Sequence, residues 1–562
     1  MDQPKDEQRA TRRSLLNRPW HSWVRLLIVV AMVRIALTTM VFPQTYDEPA
    51  HILCGLEWLG LGSYTIEEQH PPLARVAAAL GPYLAGTEPV PGADNVTMWA
   101  DGNQVLFAGG NYLLTLSLAR LGILPFFVSA CILLAAWAKR WFGVEGAIIA
   151  TVLLTTTPTV LAHASLATTD MASAATVFIA IGSLFAVIAR PSLKTFITAG
   201  CCVALALLTK FSSIPFLAVC LPVMLLFRWL LGPAMPWRNA ADWRKVGQWV
   251  AVGLAVCGLI VWAGLRFSVG PLLLPADVAA KGFPFPSIPK VTGLSQDELM
   301  QIFEAPVYPA GEMLRGVLEV HEHNHSGHRS YLLGEIRMHG WWYFFPVAFA
   351  VKTPIPFLLL GLASLGMVFV TGFRQRDWRL PALAGCAVAI MACAMTANIN
   401  LGVRHILVIY PLLALAAASI GPAVRPSKKL KVVVALLLGW QTLESLQAHP
   451  DYLPYFNQFA GDHPENILVG SDLDWGQDLL RFAETTRALK IEKLHFAYSG
   501  SLNPAVFVSP EPADIAAGEQ PSGWVAVSLT RLKQYPARYG WLESYEPYML
   551  VGNSIRLYYI PE

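Results

Sequence analysis

Two acidic residues, Asp47 and Glu48, stand side by side in the segment 46–51, which reads Tyr-Asp-Glu-Pro-Ala-His. They follow the first long apolar stretch, 23–42, which is long enough to cross a bilayer as a helix. A carboxylate held at the exit of such a helix is a candidate proton acceptor. The alternative is an ordinary solvated loop, because most acidic residues in loops only face water.

The same loop carries a second polar cluster at 67–72, which reads Glu-Glu-Gln-His-Pro-Pro. The stretch Leu73–Leu84 that follows is apolar but too short to span a membrane. It therefore predicts a short helix lying along the membrane surface. The histidines of the two segments, His51 and His70, become candidates for a pocket beside the acid pair.

Further charges lie near the ends of later apolar stretches. Asp170 begins one of them and is either a second catalytic acid or a helix-start carboxylate that interacts with the helix dipole. Arg404 and Lys352 are the best candidates for binding an anionic group such as a phosphate, with Lys210 as a weaker third. The alternative for these cations is that each extends its side chain towards lipid headgroups.

The composition indicates a membrane protein with many spans. Hydrophobic residues make up 54% of the 562 residues and charged residues only 14%, and the charges come in groups between apolar stretches. The net charge of +3 gives no argument for nucleic acid as a partner. No spacing among the eight cysteines resembles a metal knuckle or a disulfide pair.

Length and apolarity predict about eleven spans. They are 23–42, 112–138, 145–163, 166–189, 194–210, 212–231, 247–267, 343–371, 380–397, 404–422 and 430–447.

Basic clusters recur at every second turn between these spans, for example at Lys139 with Arg140 and at Lys428 with Lys429. This pattern predicts a cytoplasmic N-terminus. It places the loops 43–111 and 268–340, and residues 448–562, outside the inner (plasma) membrane.

We therefore expect residues 1–447 to form a transmembrane domain and residues 448–562 to form a small extracytoplasmic α/β domain. Strands are predicted at 467–470, 494–498 and 524–528, and a helix at 478–489. A closing hairpin is predicted around the turn 552–554, with strands at 548–551 and 555–560.

Two patterns suggest a metal site without establishing one. Four histidines, at 321, 323, 325 and 328, lie in what reads as a surface loop, and His323 and His328 are instead candidates for lining a substrate pocket. Asp472-Leu473-Asp474 resembles a metal-binding D-x-D motif, but Asp474 with Gln477 favours a capping box that opens the next helix. Metal dependence stays open at this point: no cofactor is certain, and a divalent metal remains one alternative.

The order of several motifs resembles the membrane glycosyltransferases of the C-type fold (GT-C), in the group of protein O-mannosyltransferases and the lipid A aminoarabinose transferase. These motifs are Asp47-Glu48, 70–73 (His-Pro-Pro-Leu), 169–172 (Thr-Asp-Met-Ala), 331–335 (Tyr-Leu-Leu-Gly-Glu), 340–342 (Gly-Trp-Trp), 351–354 (Val-Lys-Thr-Pro) and 402–405 (Gly-Val-Arg-His). Segments 450–457 and 471–478 resemble a feature of bacterial members. No part of the chain matches the carbohydrate-binding insert of the eukaryotic protein mannosyltransferases.

This resemblance implies an inverting glycosyltransferase that moves a hexosyl or pentosyl group from a polyprenyl-phosphate donor to an acceptor hydroxyl. The acceptor is a lipid, a glycan or a protein. The first-loop aspartate of the family carries over to Asp47 as the base, with Glu48 orienting it or contacting a basic side chain. Glu335 and His405, which lie in the matching motifs, join the candidates for the donor or acceptor pocket.

The competing class is a polytopic secondary transporter, which has a similar span count and hydropathy. Transporters place substrate groups at the bilayer midplane, commonly on broken helices within paired repeats. This sequence has no clear duplication, and its acidic residues gather in the outer loops rather than within the spans.

Overall fold

The protein is mostly helical. The computed structural model describes residues 5–233, 240–272, 287–304 and 307–561. Residues 273–286, 305 and 306 of the predicted outer loop therefore lie outside the described residues.

The long apolar stretches form helices because a helix satisfies its own backbone hydrogen bonds where water is absent. Six stretches of the described residues are long and apolar enough to cross a membrane, namely Trp20–Thr38, Tyr112–Thr155, Asp170–Ala189, Ser213–Leu231, Asp242–Gly264 and Ile355–Gln375. Three shorter apolar helical stretches are Leu193–Leu207, Arg379–Ala394 and Ile409–Val424. The chain is thus a multi-pass membrane protein, and the count of about eleven spans stays a prediction.

Several predicted span boundaries need correction. The predicted spans 112–138 and 145–163 correspond to helices Tyr112–Leu121 and Leu124–Thr155, followed by the separate short helix Pro158–Ala164. The longest of these breaks at Gly143, whose φ of 84° is left-handed. The predicted span 343–371 is also two helices, Phe344–Lys352 and Ile355–Gln375, because Pro354 cannot continue the first one.

The remaining helical elements belong to the bundle or to the first loop. The N-terminal helix is Lys5–Thr38, and the helices Ala240–Gly264 and Lys428–Gln447 complete the bundle. The first loop contains helices Glu48–Leu56, Pro72–Leu84 and Met98–Ala108, with a π-helical turn at Glu57–Leu61. The helix predicted over Leu73–Leu84 is thereby confirmed.

The second long loop combines helices with two small ribbons. Its helices are Ser287–Thr292, Gln296–Glu304 and Gly311–Ser326. One antiparallel ribbon pairs Val269–Pro271 with Val307–Pro309, and the other pairs Ser330–Leu332 with Glu335–Arg337. His321, His323 and His325 lie on the helix Gly311–Ser326, so the expectation that they sit in a surface loop was wrong.

Helix Asp170–Ala189 runs through the centre of the bundle, because 78% of the residues in its most apolar stretch are buried inside the protein. The first helix is tied to the last bundle helix by a polar contact: Arg34 donates to the backbone oxygen and the hydroxyl of Ser445. Such a contact within apolar surroundings satisfies a charge that would otherwise be costly.

The C-terminal part contains a four-stranded mixed sheet. Its strands, in spatial order, are Leu494–Ala497, Gly523–Ser528, Ile555–Ile560 and Met549–Val551, and only the first pair is parallel. Both faces are covered: Val525 and Tyr558 belong to one apolar cluster, and Ala526 and Leu557 to the other. This alternation follows from the two-residue period of a strand.

These elements confirm the predicted strands at 494–498 and 524–528, the closing hairpin and the helix at 478–489, which spans Leu479–Ala488. The strand predicted at 467–470 is wrong. That segment lies between the 3-10 turns Pro464–Asn466 and Gly470–Asp472, because its apolar residues pack towards the bundle and the sheet rather than joining a strand ladder.

Candidate functional site

Four charged side chains meet where several bundle helices end. Arg404 Nη1 lies 2.9 Å from Asp47 Oδ2 and 3.6 Å from Asp170 Oδ2. Lys210 Nζ lies 2.5 Å from Asp170 Oδ1. The sequence had singled out all four, and the structure brings them together as two cations and two carboxylates, which we call the charge cluster.

Each member of the charge cluster sits at the end of an element. Asp47 precedes helix Glu48–Leu56, and Asp170 is the first residue of its helix. Lys210 follows helix Leu193–Leu207, and Arg404 lies on the 3-10 turn Val403–Ile406. Helix ends are where polar side chains can leave an apolar bundle, which explains why charges separated in sequence converge here.

Gly402 permits the close approach of the Arg404 turn to the C-terminal part. Its φ of 116° is rarely adopted by other residues. A Cβ at this position would lie 2.6 Å from the hydroxyl of Ser471 and 3.1 Å from both carboxylate oxygens of Asp472. The position therefore requires glycine for both conformation and space.

The charge cluster borders a cleft lined by Asp170, Lys210, Arg404, His405 and Phe216. Within the described residues, Arg404 Nη2 has no hydrogen-bond partner, whereas Nη1 contacts Asp47 and Nε donates to the Leu401 oxygen. The side chain of Asp47 is 28% exposed, against 1% for Asp170. An anion entering this cleft would meet two cations, and Asp47 is the more accessible carboxylate.

Glu48 belongs to a buried ion pair beside the charge cluster. Arg120 donates to both oxygens of Glu48, with both distances 2.8 Å, and also donates to the backbone oxygens of Thr39 and Pro43. Burial alone would raise the pKa of Glu48, but Arg120 and the backbone N–H of Ala167 outweigh it and hold that pKa below its usual value. Glu48 therefore contacts a basic side chain, one of the two alternatives for it, and its setting is structural.

The histidines His51 and His70, both in the first loop, form a neutral pair. Their ring centroids are 5.1 Å apart, and Arg75 Nε donates to His51 Nδ1 over 3.1 Å. Burial lowers the pKa of His70 to about 4, and burial together with Arg75 holds the pKa of His51 well below its ordinary value. Both rings are therefore uncharged at neutral pH.

His323 and His328 face each other, with His323 Nε2 3.2 Å from His328 Nδ1. His323 Nδ1 also lies 3.3 Å from Gln69 Oε1, which links the second long loop to the first. Burial lowers the pKa of both rings. Within the described residues, no group of three or more histidine, cysteine or acidic side chains could hold a metal ion.

Two predicted site residues lie in other settings. Lys352 is buried, and its Nζ donates to the backbone oxygens of Leu453 (2.8 Å) and Asp472 (2.5 Å). It therefore anchors the chain after the last bundle helix instead of facing the cleft. Glu335 is exposed, pairs with Arg337 and does not line the cleft of the charge cluster.

The D-x-D segment is held by backbone donors. Asp472 Oδ1 accepts from the Val403 N–H (3.0 Å), and Asp474 Oδ2 accepts from the Thr530 N–H (2.9 Å). The expected capping box was wrong: the helix begins at Leu479, and Gln477 instead accepts from the Trp475 N–H. Burial raises the pKa of Asp474 to about 7.

Sequence reasoning missed the roles of two residues. Arg120 was visible as a charge within an apolar stretch, but its partner Glu48 could not be identified from spacing. Trp475 lies 4.3 Å below the guanidinium carbon of Arg404, measured to the centroid of its ring. The only signal for Trp475 was its place in the quoted segment 471–478.

Residues 118–262 match the family model described as dolichyl-phosphate-mannose-protein mannosyltransferase. The match includes Asp170 and Lys210 but neither Asp47 nor Arg404. None of the curated proteins matches the chain.

Two solved structures are similar at low identity. One is ArnT from Cupriavidus metallidurans bound to undecaprenyl phosphate, with 13% identity, a TM-score of 0.47 and coverage of 95% of this chain and 98% of that one. The other is the Archaeoglobus fulgidus oligosaccharyltransferase in complex with Zn and sulfate, with 13% identity, a TM-score of 0.45 and coverage of 90% and 68%. The family match, which covers about a quarter of the chain, agrees with the resemblance that the motifs indicate: residues 118–262 of this multi-pass membrane protein are similar to the protein O-mannosyltransferases.

Proposed function

We propose that the protein is an inverting glycosyltransferase that moves a sugar from a polyprenyl phosphate to an acceptor hydroxyl at the outer face of the inner (plasma) membrane. The observation that carries this proposal is Arg404, whose Nη1 contacts the accessible Asp47 while its Nη2 is left for a ligand within the described residues. The family description names a dolichyl phosphate donor, which is a polyprenyl phosphate. The sugar is hexosyl or pentosyl, and the acceptor is a lipid, a glycan or a protein.

Arg404 and Lys210 are the proposed phosphate ligands. Both line the cleft, and both contact carboxylates, Lys210 through Asp170 and Arg404 through Asp47, although Arg404 Nε also donates to the Leu401 oxygen. Arginine can bind phosphate through two parallel hydrogen bonds, and lysine adds a point charge. Lys352 is not proposed as a phosphate ligand, because its ammonium group is buried against two backbone oxygens.

Asp47 is the proposed base. In the structure its carboxylate accepts from Arg404 Nη1, and a donor phosphate that binds through two parallel hydrogen bonds, to Nη1 as well as Nη2, would compete for this contact. Binding of the donor would thus release Asp47 to accept the proton of the acceptor hydroxyl. The phosphate leaves as an anion without needing a proton, so no second acid is required.

Direct attack of the acceptor on the anomeric carbon inverts its configuration, as expected when no covalent intermediate forms. Asp170 is held by Lys210 and Arg404 and is nearly inaccessible. We assign it to orienting the two cations rather than to proton transfer.

A transfer assay in proteoliposomes tests the proposal against the transporter alternative. Purified protein supplied with radiolabelled polyprenyl-phosphate sugars and a membrane extract as acceptor should release polyprenyl phosphate and label the acceptor. Sugar or lipid flux without any transfer would overturn the proposal.

The first residue-level prediction concerns Arg404. Arg404→Ala should weaken binding of polyprenyl phosphate by about 2 kcal/mol, roughly thirty-fold, because a charge-assisted contact is lost. Arg404→Lys should restore only part of this affinity, since it lacks the planar fork. Titration of the purified variants with labelled polyprenyl phosphate measures the effect, and unchanged affinity in folded Arg404→Ala would remove Arg404 from the donor site.

The proposed orientation, with the charge cluster facing outward, is supported by basic residues at the opposite end of the bundle. Lys139 lies over the ring of Trp20, Arg379 lies over the ring of Trp141, and Arg425 pairs with Glu145. Basic residues from separate turns therefore gather at one end, and by the positive-inside rule that end is cytoplasmic.

This orientation predicts that the C-terminal sheet lies outside the cytoplasm. A reporter that is active only outside, fused after Glu562, should therefore be active. The matched control is the same reporter inserted between Lys428 and Lys429, where it should be silent. If the control reporter is active and the C-terminal fusion is silent, the protein has the opposite orientation, and the proposed location of the reaction is wrong.

A further inference from the structure

The C-terminal part of the chain reaches the charge cluster through the short segment Ser471–Trp475. The guanidinium carbon of Arg404 lies 4.3 Å from the centroid of the Trp475 ring. Trp475 is only 7% exposed, so this contact is largely shielded from water. An arginine over a tryptophan face is attracted by the ring, and more strongly when the pair is desolvated.

The same segment fixes the turn that carries Arg404. Asp472 Oδ1 accepts from the Val403 N–H over 3.0 Å, and the Ser471 hydroxyl donates to the Leu401 oxygen. These two contacts hold the backbone directly before Arg404. Trp475 therefore acts on the side chain, while Ser471 and Asp472 act on the main chain.

The segment also reaches the turn of Asp47. The backbone N–H of Tyr46 donates to the Trp475 oxygen over 3.1 Å. Trp475 is in turn held from the C-terminal side, because Gln477 accepts from its N–H. One residue thus touches both the proposed phosphate ligand and the residue next to the proposed base.

The packing of Trp475 leaves Arg404 few directions. Nη1 points to Asp47 and Asp170, Nε points to the Leu401 oxygen, and the ring covers one face of the guanidinium. Of the three guanidinium nitrogens of Arg404, only Nη2 has no hydrogen-bond partner among the described residues. The ring therefore limits the orientations of the guanidinium, which lines the cleft, before any donor arrives.

We infer that Trp475 is a positioning residue for the donor phosphate, and that the C-terminal domain completes the donor site by presenting its ring to Arg404. The inference rests on the proposed function, because it requires Arg404 to bind the donor. Preorganisation of this kind raises affinity by removing the cost of ordering a flexible side chain on binding.

A double-mutant cycle with unglycosylated polyprenyl phosphate as the ligand tests the inference. In the full-length protein, Trp475→Leu should weaken binding about ten-fold, and Trp475→Phe should recover part of the loss because it keeps an aromatic face. In the Arg404→Ala background, Trp475→Leu should cause no further loss, since Trp475 acts through Arg404.

The matched control is Trp524→Leu. Trp524 lies in the same C-terminal part, packs edge-to-face against Tyr548 and Tyr559, and makes no described contact with Arg404. Its replacement should leave the affinity unchanged. A similar loss in Trp524→Leu would indicate general destabilisation and overturn the inference.

The possible failures are distinguishable. Wild-type affinity in Arg404→Ala refutes the proposed function. If Arg404→Ala loses affinity for polyprenyl phosphate, and Trp475→Leu lowers that affinity by the same factor with and without Arg404, the two effects are additive. That result refutes only the role of Trp475. If Trp475→Leu is not recovered as folded protein, Trp475→Phe and Trp475→Tyr enter the same cycle, and a loss of affinity that persists unchanged in the Arg404→Ala background would again refute the role of Trp475.

Discussion

Asp47→Asn should lower turnover at saturating donor by about 10²–10⁴-fold, the usual contribution of a positioned base. The asparagine keeps the shape of the side chain and can still accept a hydrogen bond from Arg404, but it cannot take the acceptor proton. Binding of polyprenyl phosphate should be retained, because Arg404 and Lys210 remain in place. The measurement is single-turnover sugar transfer in Asp47→Asn beside donor binding in the same preparation.

Asp170→Asn is the informative comparison for this experiment. It should weaken donor binding and lower turnover together, since Asp170 holds Lys210 and Arg404. Near-normal turnover in Asp47→Asn, combined with an inactive Asp170→Asn that still binds donor, would transfer the role of base to Asp170.

The second large effect concerns folding. Glu48→Gln should destabilise the protein by about 3–5 kcal/mol, because it leaves the buried guanidinium of Arg120 without its counter-charge. Glu48 is fully buried and Arg120 nearly so. We expect a clear fall in the temperature at which the detergent-solubilised protein loses its native fluorescence and monodispersity.

Glu335→Gln provides the matched control for the same chemical change. Glu335 also pairs with an arginine, Arg337, but both side chains are more than half exposed. Exposed pairs contribute little, so its thermal transition should not move measurably. Equal stability of Glu48→Gln and Glu335→Gln would contradict the structural role of the Glu48–Arg120 pair.

The charge cluster was predictable because charges at the ends of apolar spans are costly and few. Asp47, Asp170, Arg404 and Lys210 all stood out on that criterion, and the structure brings them within contact of one another. Lys352 met the same criterion but lies in a different setting. A sequence gives the position of a cation along the membrane normal, not whether backbone carbonyls will satisfy it.

Other features depended on contacts between distant parts of the chain. The pairing of Glu48 with Arg120 and the approach of Trp475 to Arg404 join different loops and helices. The strand predicted at 467–470 failed for a related reason, since an apolar run can be buried against a bundle as easily as in a sheet. The local signals for the hairpin and for helix Leu479–Ala488 succeeded because turn residues and periodicity act within a few positions.

The contact of Arg34 with Ser445 has a consequence for the order of synthesis. Its partner lies 411 residues further along the chain, which a ribosome adding about 5–20 residues per second reaches after roughly 20–80 s. Throughout that interval the first helix carries an arginine within its apolar stretch and lacks its final neighbour. The nascent protein must therefore shield this charge by other means, such as the water-filled interior of the insertion machinery or the headgroup layer, until the last bundle helix arrives.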